Sequence, residues 1–291
     1  MTGSEQHLGV VVGVDGSGNS DVAVRWAAHE AAMRKERLTL VQAIALPIPG
    51  WPPSNLRELC EADAEAILDD AVTNINDFVK DGAPSDLNRK LLFSQPASAM
   101  VDMSKNADMV VVGARGLGAL RRVLLGSVST ALIHHAHCPV AVIHQDASLY
   151  AEATTAPVLL GTDASAASEL ATEIAFDEAA MRGVDLLVLH AASDTDMSHI
   201  LSTTYSTGLS AVGEMLTERL AAYQERYPGV SVQQTVVDDR PATHLVNLAA
   251  SAQLVVVGSH GRGGFAGMAL GSVGTAVAHA SRTPVIVARS Q

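Results

Sequence analysis

Several things are scarce in this sequence, and each scarcity excludes something. Aromatic residues make up 3% and charged residues 17%, against 48% apolar. A core built from that composition rests on Ala, Val and Leu rather than on rings. The only two cysteines, Cys60 and Cys138, form no C-x2-C pair, which argues against a disulfide framework and a zinc knuckle and fits a reducing compartment. Basic charge is also short: 19 Lys and Arg face 31 Asp and Glu, for a net charge of −12. A nucleic-acid partner, which selects for a basic face, is therefore not expected, and the acidic excess reads as solvated surface. No run approaches the roughly 18 apolar residues of a membrane span. Residues 1–7 are polar and lack an apolar signal core, so a cytoplasmic protein is expected. The lysine-bearing phosphate loop G-x4-G-K-[ST] is missing, and Gly13-Val14-Asp15 does not form a G-x-G-x-x-G turn, which sets aside P-loop and dinucleotide-binding classes.

What is present occurs twice. The run from Met109 ends at Gly113, Gly116 follows, and Gly126-Ser127 comes after nine intervening residues; Gly258, Gly261 and Gly271-Ser272 repeat the spacing. This G-x2-G-x9-G-[ST] pattern, set after a buried-type strand, reads as a phosphate site. Glycines admit a ligand close to backbone N–H groups, and the helix opened by Ser127 or Ser272 offers its N-terminal N–H groups and dipole to an anion. Asp15 recurs as Asp163, and Glu-Ala-Ala-Met-Arg at 30–34 recurs at 178–182, both 148 residues on; Gly113 and Gly258 are 145 apart. The chain is thus a tandem duplication of 291 residues, long enough for two domains. The expected domains are 1–146 and 157–291, with 147–156 as a linker within the polar stretch 144–156.

Within each copy, strand-like and helix-like segments alternate. In the first, strands are expected at 8–14, 38–44, 87–93, 109–112 and 139–143. Helices are expected after a Ser20 or Asp21 cap, at 56–79, 96–106 and 127–137. Continuous apolar strands separated by helices imply α/β domains with parallel sheets covered on both faces. Ligands of such sheets bind beyond the carboxyl ends of the strands, where strand order reverses. Adjacent first and fourth strands would bring Asp15 to the Gly113 loop and Asp163 to the Gly258 loop.

The paired glycine motifs, the aspartates after strand one and the Pro-Val-x-Val final strands together resemble the universal stress protein family, in the tandem form common in mycobacteria. The resemblance covers nearly the whole chain. It implies two Rossmann-like or flavodoxin-like domains, each a five-stranded parallel sheet in order 3-2-1-4-5, and ATP binding where the motif is kept. The fifth strands are implied to pair antiparallel between domains, about a pseudo-two-fold axis. Carried over residue by residue, Gly13 and Asp15 lie beside the nucleotide and Ala43 on the adenine side. Gly113, Ala114, Arg115 and Gly116 lie under ribose and phosphates, the loop continuing through Leu117, Gly118 and Ala119. Gly126, Ser127, Val128 and Ser129 make the phosphate turn. The second site would use Gly161, Asp163, Ala191, Gly258, Ser259, His260, Gly261, Arg262, Gly263, Gly264, Gly271, Ser272, Val273 and Gly274. Because Gly274 replaces the hydroxyl of Ser129, that site is expected to lose a hydrogen bond worth about 0.5–1.5 kcal/mol.

Other readings of these residues stay open. Asp15 and Asp163 can serve as side-chain turns or caps beside Ser17 and Ser165, can bond the ligand, or can hold Mg²⁺ on its phosphates. Arg115, Arg121, Arg122 and Arg262 are either phosphate partners or loop cations. His134 and His137 could share a helix face with His135 close by, but cations suit a helix C-terminus anyway. Ala280 and Arg282 replace His135 and His137 in the second copy, so no metal site is read there. Cys138, before Pro139, reads as a small buried residue. No spacing selects a Ser-His-Asp triad or a dedicated base for ATP hydrolysis. The leading expectation is an ATP-binding, non-enzymatic regulator of stress response and growth, one site per domain, forming a homodimer and acting on a downstream protein. The alternatives are a slow ATPase or nucleotidyl-transfer enzyme of the adenine-nucleotide α-hydrolase-like group, whose Ser-Gly-Gly loop strand one lacks, and a nucleotide-free scaffold.

Overall fold

A computed structural model describes residues 7–45, 56–78, 84, 86–117, 125–145, 147, 155–165, 168–191, 205–237, 239–259 and 271–289. The chain divides between residues 149 and 150 into two compact units. Among the described residues no helix is long and apolar enough to cross a membrane.

The first unit runs β1 (Val10–Gly13), α1 (Gly18–Arg34), β2 (Leu38–Ala43), α2 (Leu56–Phe78), β3 (Leu87–Leu92), α3 (Pro96–Met103), a 3₁₀ turn (Ser104–Asn106), β4 (Met109–Gly113), α4 (Ser127–His135) and β5 (Val140–Ile143). Its strands are parallel and lie in the order β3-β2-β1-β4-β5. Strands β1, β4 and β5 are Val-rich and buried along almost their whole length, as a sheet covered on both faces requires. The outer strand β3 alternates in exposure instead. Right-handed crossovers put α1 and α2 on one face and α3 and α4 on the other; α1 packs on α2, and α3 on α4. On α2, the buried Ala64, Leu68, Ala71 and Ile75 form a single stripe at helical spacing.

The second unit repeats the plan: β6 (Val158–Thr162), α5 (Glu169–Arg182), β7 (Leu186–Ala191), α6 (Tyr205–Arg226), β8 (Val232–Val237), α7 (Pro241–Ala249), β9 (Leu254–Gly258), α8 (Ser272–Ala280) and β10 (Val285–Ala288). Its parallel order is β8-β7-β6-β9-β10. Some of the few rings are gathered here: Phe176 of α5 stacks on Tyr223 of α6 at 5.3 Å and on Tyr227 at 5.6 Å.

Three sequence expectations are corrected. The first helix is capped by Ser17, whose side chain accepts from the Ser20 N–H, not by Ser20 or Asp21. All three are cap-type residues, and the left-handed Gly16 (φ 76°) turns the chain early enough for Ser17 to take the position. The third helix ends at Met103 and tightens into the 3₁₀ turn. The fourth ends at His135, and His137 lies beyond it, its N–H donating to Ser104 Oγ at 2.9 Å; His134 and His137 therefore share no helical face. Cys138 is buried as expected, and burial pushes its thiol up to about 12.

Candidate functional site

The first candidate site forms where β1 and β4, adjacent and in register from Val10↔Met109 to Val12↔Val111, end in Gly13 and Gly113. The sheet order reverses between these strands, which is where α/β sheets hold ligands. Asp15 follows β1 and reaches both sides of the gap. Its Oδ1 accepts the Ser17 N–H at 3.0 Å, and its Oδ2 accepts the Leu117 N–H of the glycine loop at 3.2 Å. The turn role and the loop contact thus belong to one carboxylate. Gly116 is bare for the same reason: a Cβ there would stand 2.3 Å from Asp15 Oδ2. At Gly113 a Cβ would stand 2.8 Å from the C and Cβ atoms of Asn19, so the glycine lets the first turn of α1 pack onto the loop. Sequence reasoning missed Asn19 and the part played by Ser20. Asn19 Oδ1 accepts the Gln145 N–H at 3.0 Å, and Ser20 Oγ accepts the Asp15 N–H at 3.2 Å. The available signal was their polarity at the buried start of a helix.

The far arm of the loop returns at Gly126, whose N–H donates to Ala114 O at 2.7 Å. Gly126 then caps α4 in extended conformation (φ −78°, ψ 170°) without any side-chain cap bond. The first-turn N–H groups at Ser127 and Val128 have no partner within the helix, the arrangement that suits an anion. Ser129 is buried, and its hydroxyl lies 3.0 Å from both Ala114 O and Gly126 O. It therefore staples the loop internally in this structure. Arg115 is half-buried, and its backbone carbonyl faces Ser17 Oγ at 3.5 Å. Ala43 stands at the carboxyl end of β2. Gly118, Ala119, Arg121 and Arg122 lie outside the described residues.

The second site repeats this frame. Gly161 ends its β6 pairing opposite Val257, and Gly258 closes β9. The Gly271 N–H donates to Ser259 O at 2.7 Å, matching Gly126 and Ala114, and α8 starts at Ser272, beside Val273, again without a side-chain cap. Asp163 Oδ1 accepts both the N–H (3.0 Å) and the hydroxyl (2.6 Å) of Ser165. Ala191 ends β7. At Gly274 a Cβ would meet Gly258 O at 2.9 Å, so α8 comes too close to the strand end for the serine of the first copy. The difference between copies thus falls on how the loop is stapled. His260, Gly261, Arg262, Gly263 and Gly264 lie outside the described residues.

The family model described as the universal stress protein family matches this chain twice, over residues 9–144 and 155–289. A universal stress protein of Mycobacterium tuberculosis (strain H37Rv) is 50% identical over 289 residues, covering 98% of each chain. Another from the same strain is 46% identical over 294 residues, covering 99% of each. Among solved structures, a universal stress protein from Archaeoglobus fulgidus superposes with a TM-score of 0.72 at 21% identity, over 98% of this chain and all of that one, a likeness of fold.

Proposed function

Because the chain belongs to the universal stress protein family in both of its halves, we propose that each half binds ATP and that the protein is a nucleotide-dependent regulator of stress response and growth rather than an enzyme. The observation that carries this reading is the repeated phosphate turn. In both units a glycine with no side-chain cap opens a nine-residue helix, and its N–H is tied back to the residue that follows the fourth-position strand. Two helix N-termini so arranged, each beside an aspartate at a strand-order reversal, are suited to an anionic ligand lying across the strand ends.

In this reading Ser127 and Val128, following Gly126, present backbone N–H groups to the phosphates, as do Ser272 and Val273 after Gly271. Asp15 and Asp163 face the ribose side or hold Mg²⁺ on the phosphates. A bound nucleotide competes with Asp15 for the Leu117 N–H, so binding would reset the loop that a partner protein reads. The functional particle is a homodimer in the cytoplasm. Mass-spectrometric analysis of small molecules released by denaturing freshly purified protein tests the reading, with stoichiometry per chain. Near two ATP per chain supports two working sites, whereas no release and no ATP uptake on titration removes the proposal. Steady turnover of ATP that disappears in the Asp15→Ala, Asp163→Ala double variant would replace a binder with a hydrolase.

A further inference from the structure

We propose that the first unit also carries a binding site for a divalent transition cation, at the amino ends of its strands, formed by His7, Glu36 and Asp108. This is the opposite end of the sheet from the nucleotide loops, and the site is independent of them. One ligand atom from each residue lies within 4.8 Å of the other two. His7 Nε2 and Asp108 Oδ2 are 3.0 Å apart, close to the separation of two ligands on one metal at about 2.0–2.2 Å each. The Glu36 carboxylate makes no hydrogen bond or ion pair among the described residues and has an oxygen within 4.8 Å of one from Asp108, so two like charges repel across the cluster. A cation would relieve that repulsion.

The backbone holds the three donors in place. The Leu8 N–H donates to Asn106 O (2.9 Å), Asp108 N–H to Gly9 O (3.0 Å), Glu36 N–H to Ala31 O (2.9 Å) and Val10 N–H to Arg37 O (2.9 Å). The other imidazole nitrogen, Nδ1, faces Asn106 O at 3.5 Å, the outer-shell carbonyl that commonly orients a metal-bound histidine. Arg37 contacts His7 O at 3.2 Å but is paired with Asp86 at 2.6 Å, so its charge is already balanced. The side chains of His7 and Asp108 are 58% and 43% exposed, leaving the ion a path in. One imidazole with two carboxylates suits Zn²⁺ or Mn²⁺ better than an all-oxygen cation such as Mg²⁺ or a thiol-seeking one.

The duplication supplies an internal control. The corresponding positions of the second copy are Thr155, Val184 and Gln253, and Gln253 Nε2 donates instead to Ala156 O. The trio belongs to one copy and joins three chain segments, so an ion there would fasten the entry to β1 onto the starts of β2 and β4.

The test is calorimetric titration of Zn²⁺ into the full chain, freed of metal and nucleotide, beside His7→Ala, Glu36→Gln and, as a control on ordinary surface histidines, His244→Ala. The expected result is one site per chain that weakens by at least roughly tenfold in His7→Ala and Glu36→Gln and is unchanged in His244→Ala. Zinc should also raise the melting temperature of the wild type and of His244→Ala, but not of His7→Ala. Equal binding by wild type and His7→Ala, or no wild-type binding below millimolar zinc, overturns the proposal.

Discussion

Replacing Gly116 by Ala tests the link between Asp15 and the glycine loop. The new Cβ would stand 2.3 Å from Asp15 Oδ2, so the carboxylate must swing away and release the Leu117 N–H it holds at 3.2 Å. A hydrogen bond to a charged group contributes about 1.5–3 kcal/mol. Asp15 is half-buried, so the loss is set lower, at about 1–2 kcal/mol. Gly116 is not among the glycines with positive φ, so alanine imposes no backbone strain of its own. In an Asp15→Ala background the clash is gone, and Gly116→Ala should be neutral or stabilising by up to about 0.5 kcal/mol through a less flexible unfolded chain. The double-mutant cycle should therefore show a coupling of about 1–2 kcal/mol. Urea unfolding of nucleotide-free protein, followed by tryptophan fluorescence, reads the right unit because Trp26 and Trp51 are the only tryptophans and both lie in the first copy. The same penalty for Gly116→Ala with and without Asp15 would refute the linkage.

Other perturbations follow from the same geometry. Lys35 ends α1 in left-handed conformation (φ 57°) where Gly183 ends α5 (φ 64°); Lys35→Gly, at an exposed position, should stabilise the first unit by about 1 kcal/mol in the same urea assay. Glu30 is fully buried with its carboxylate 2.6 Å from Arg34 Nε, and Glu30→Ala should destabilise by about 3 kcal/mol, with a loss below 1 kcal/mol counting against a structural ion pair. The Cys138 thiol, held up to about 12 against an ordinary 9.0, keeps its proton in the folded state while the unfolded thiol ionises. Its contribution to stability is complete below pH 9 and is lost as pH rises towards about 12. Alkylation at pH 8 should therefore label Cys138 only after denaturation, and rapid labelling of native protein would contradict the burial.

Much of this architecture was legible before any coordinates. Short Val runs such as 110–112 and 255–257, β-branched and each closed by a glycine, read as strands buried on both faces, and the Glu-Ala-Ala-Met-Arg repeat ties the copies together. Boundaries were less legible, because Ser17, Ser20 and Asp21 are all competent caps and only the turn at Gly16 chooses among them. The site was legible as a set of residues but not as a set of contacts. Nothing in the spacing of Ser129 and Gly126 reveals that the serine hydroxyl meets backbone carbonyls, or that Gly274 is glycine because Gly258 O lies where its side chain would be.

The sequence by itself determined the duplication, the α/β class and the placing of two glycine loops after buried strands. Those properties follow from periodicity and residue type, which are local. Tertiary structure decided what each side chain does there: that Asp15 spans the turn and the loop, that Gly116 is bare because a carboxylate fills its space, and that residues 7, 36 and 108 meet. Such meetings depend on which strands lie side by side and in what register, and hydrophobic patterning along one strand carries no record of its neighbour.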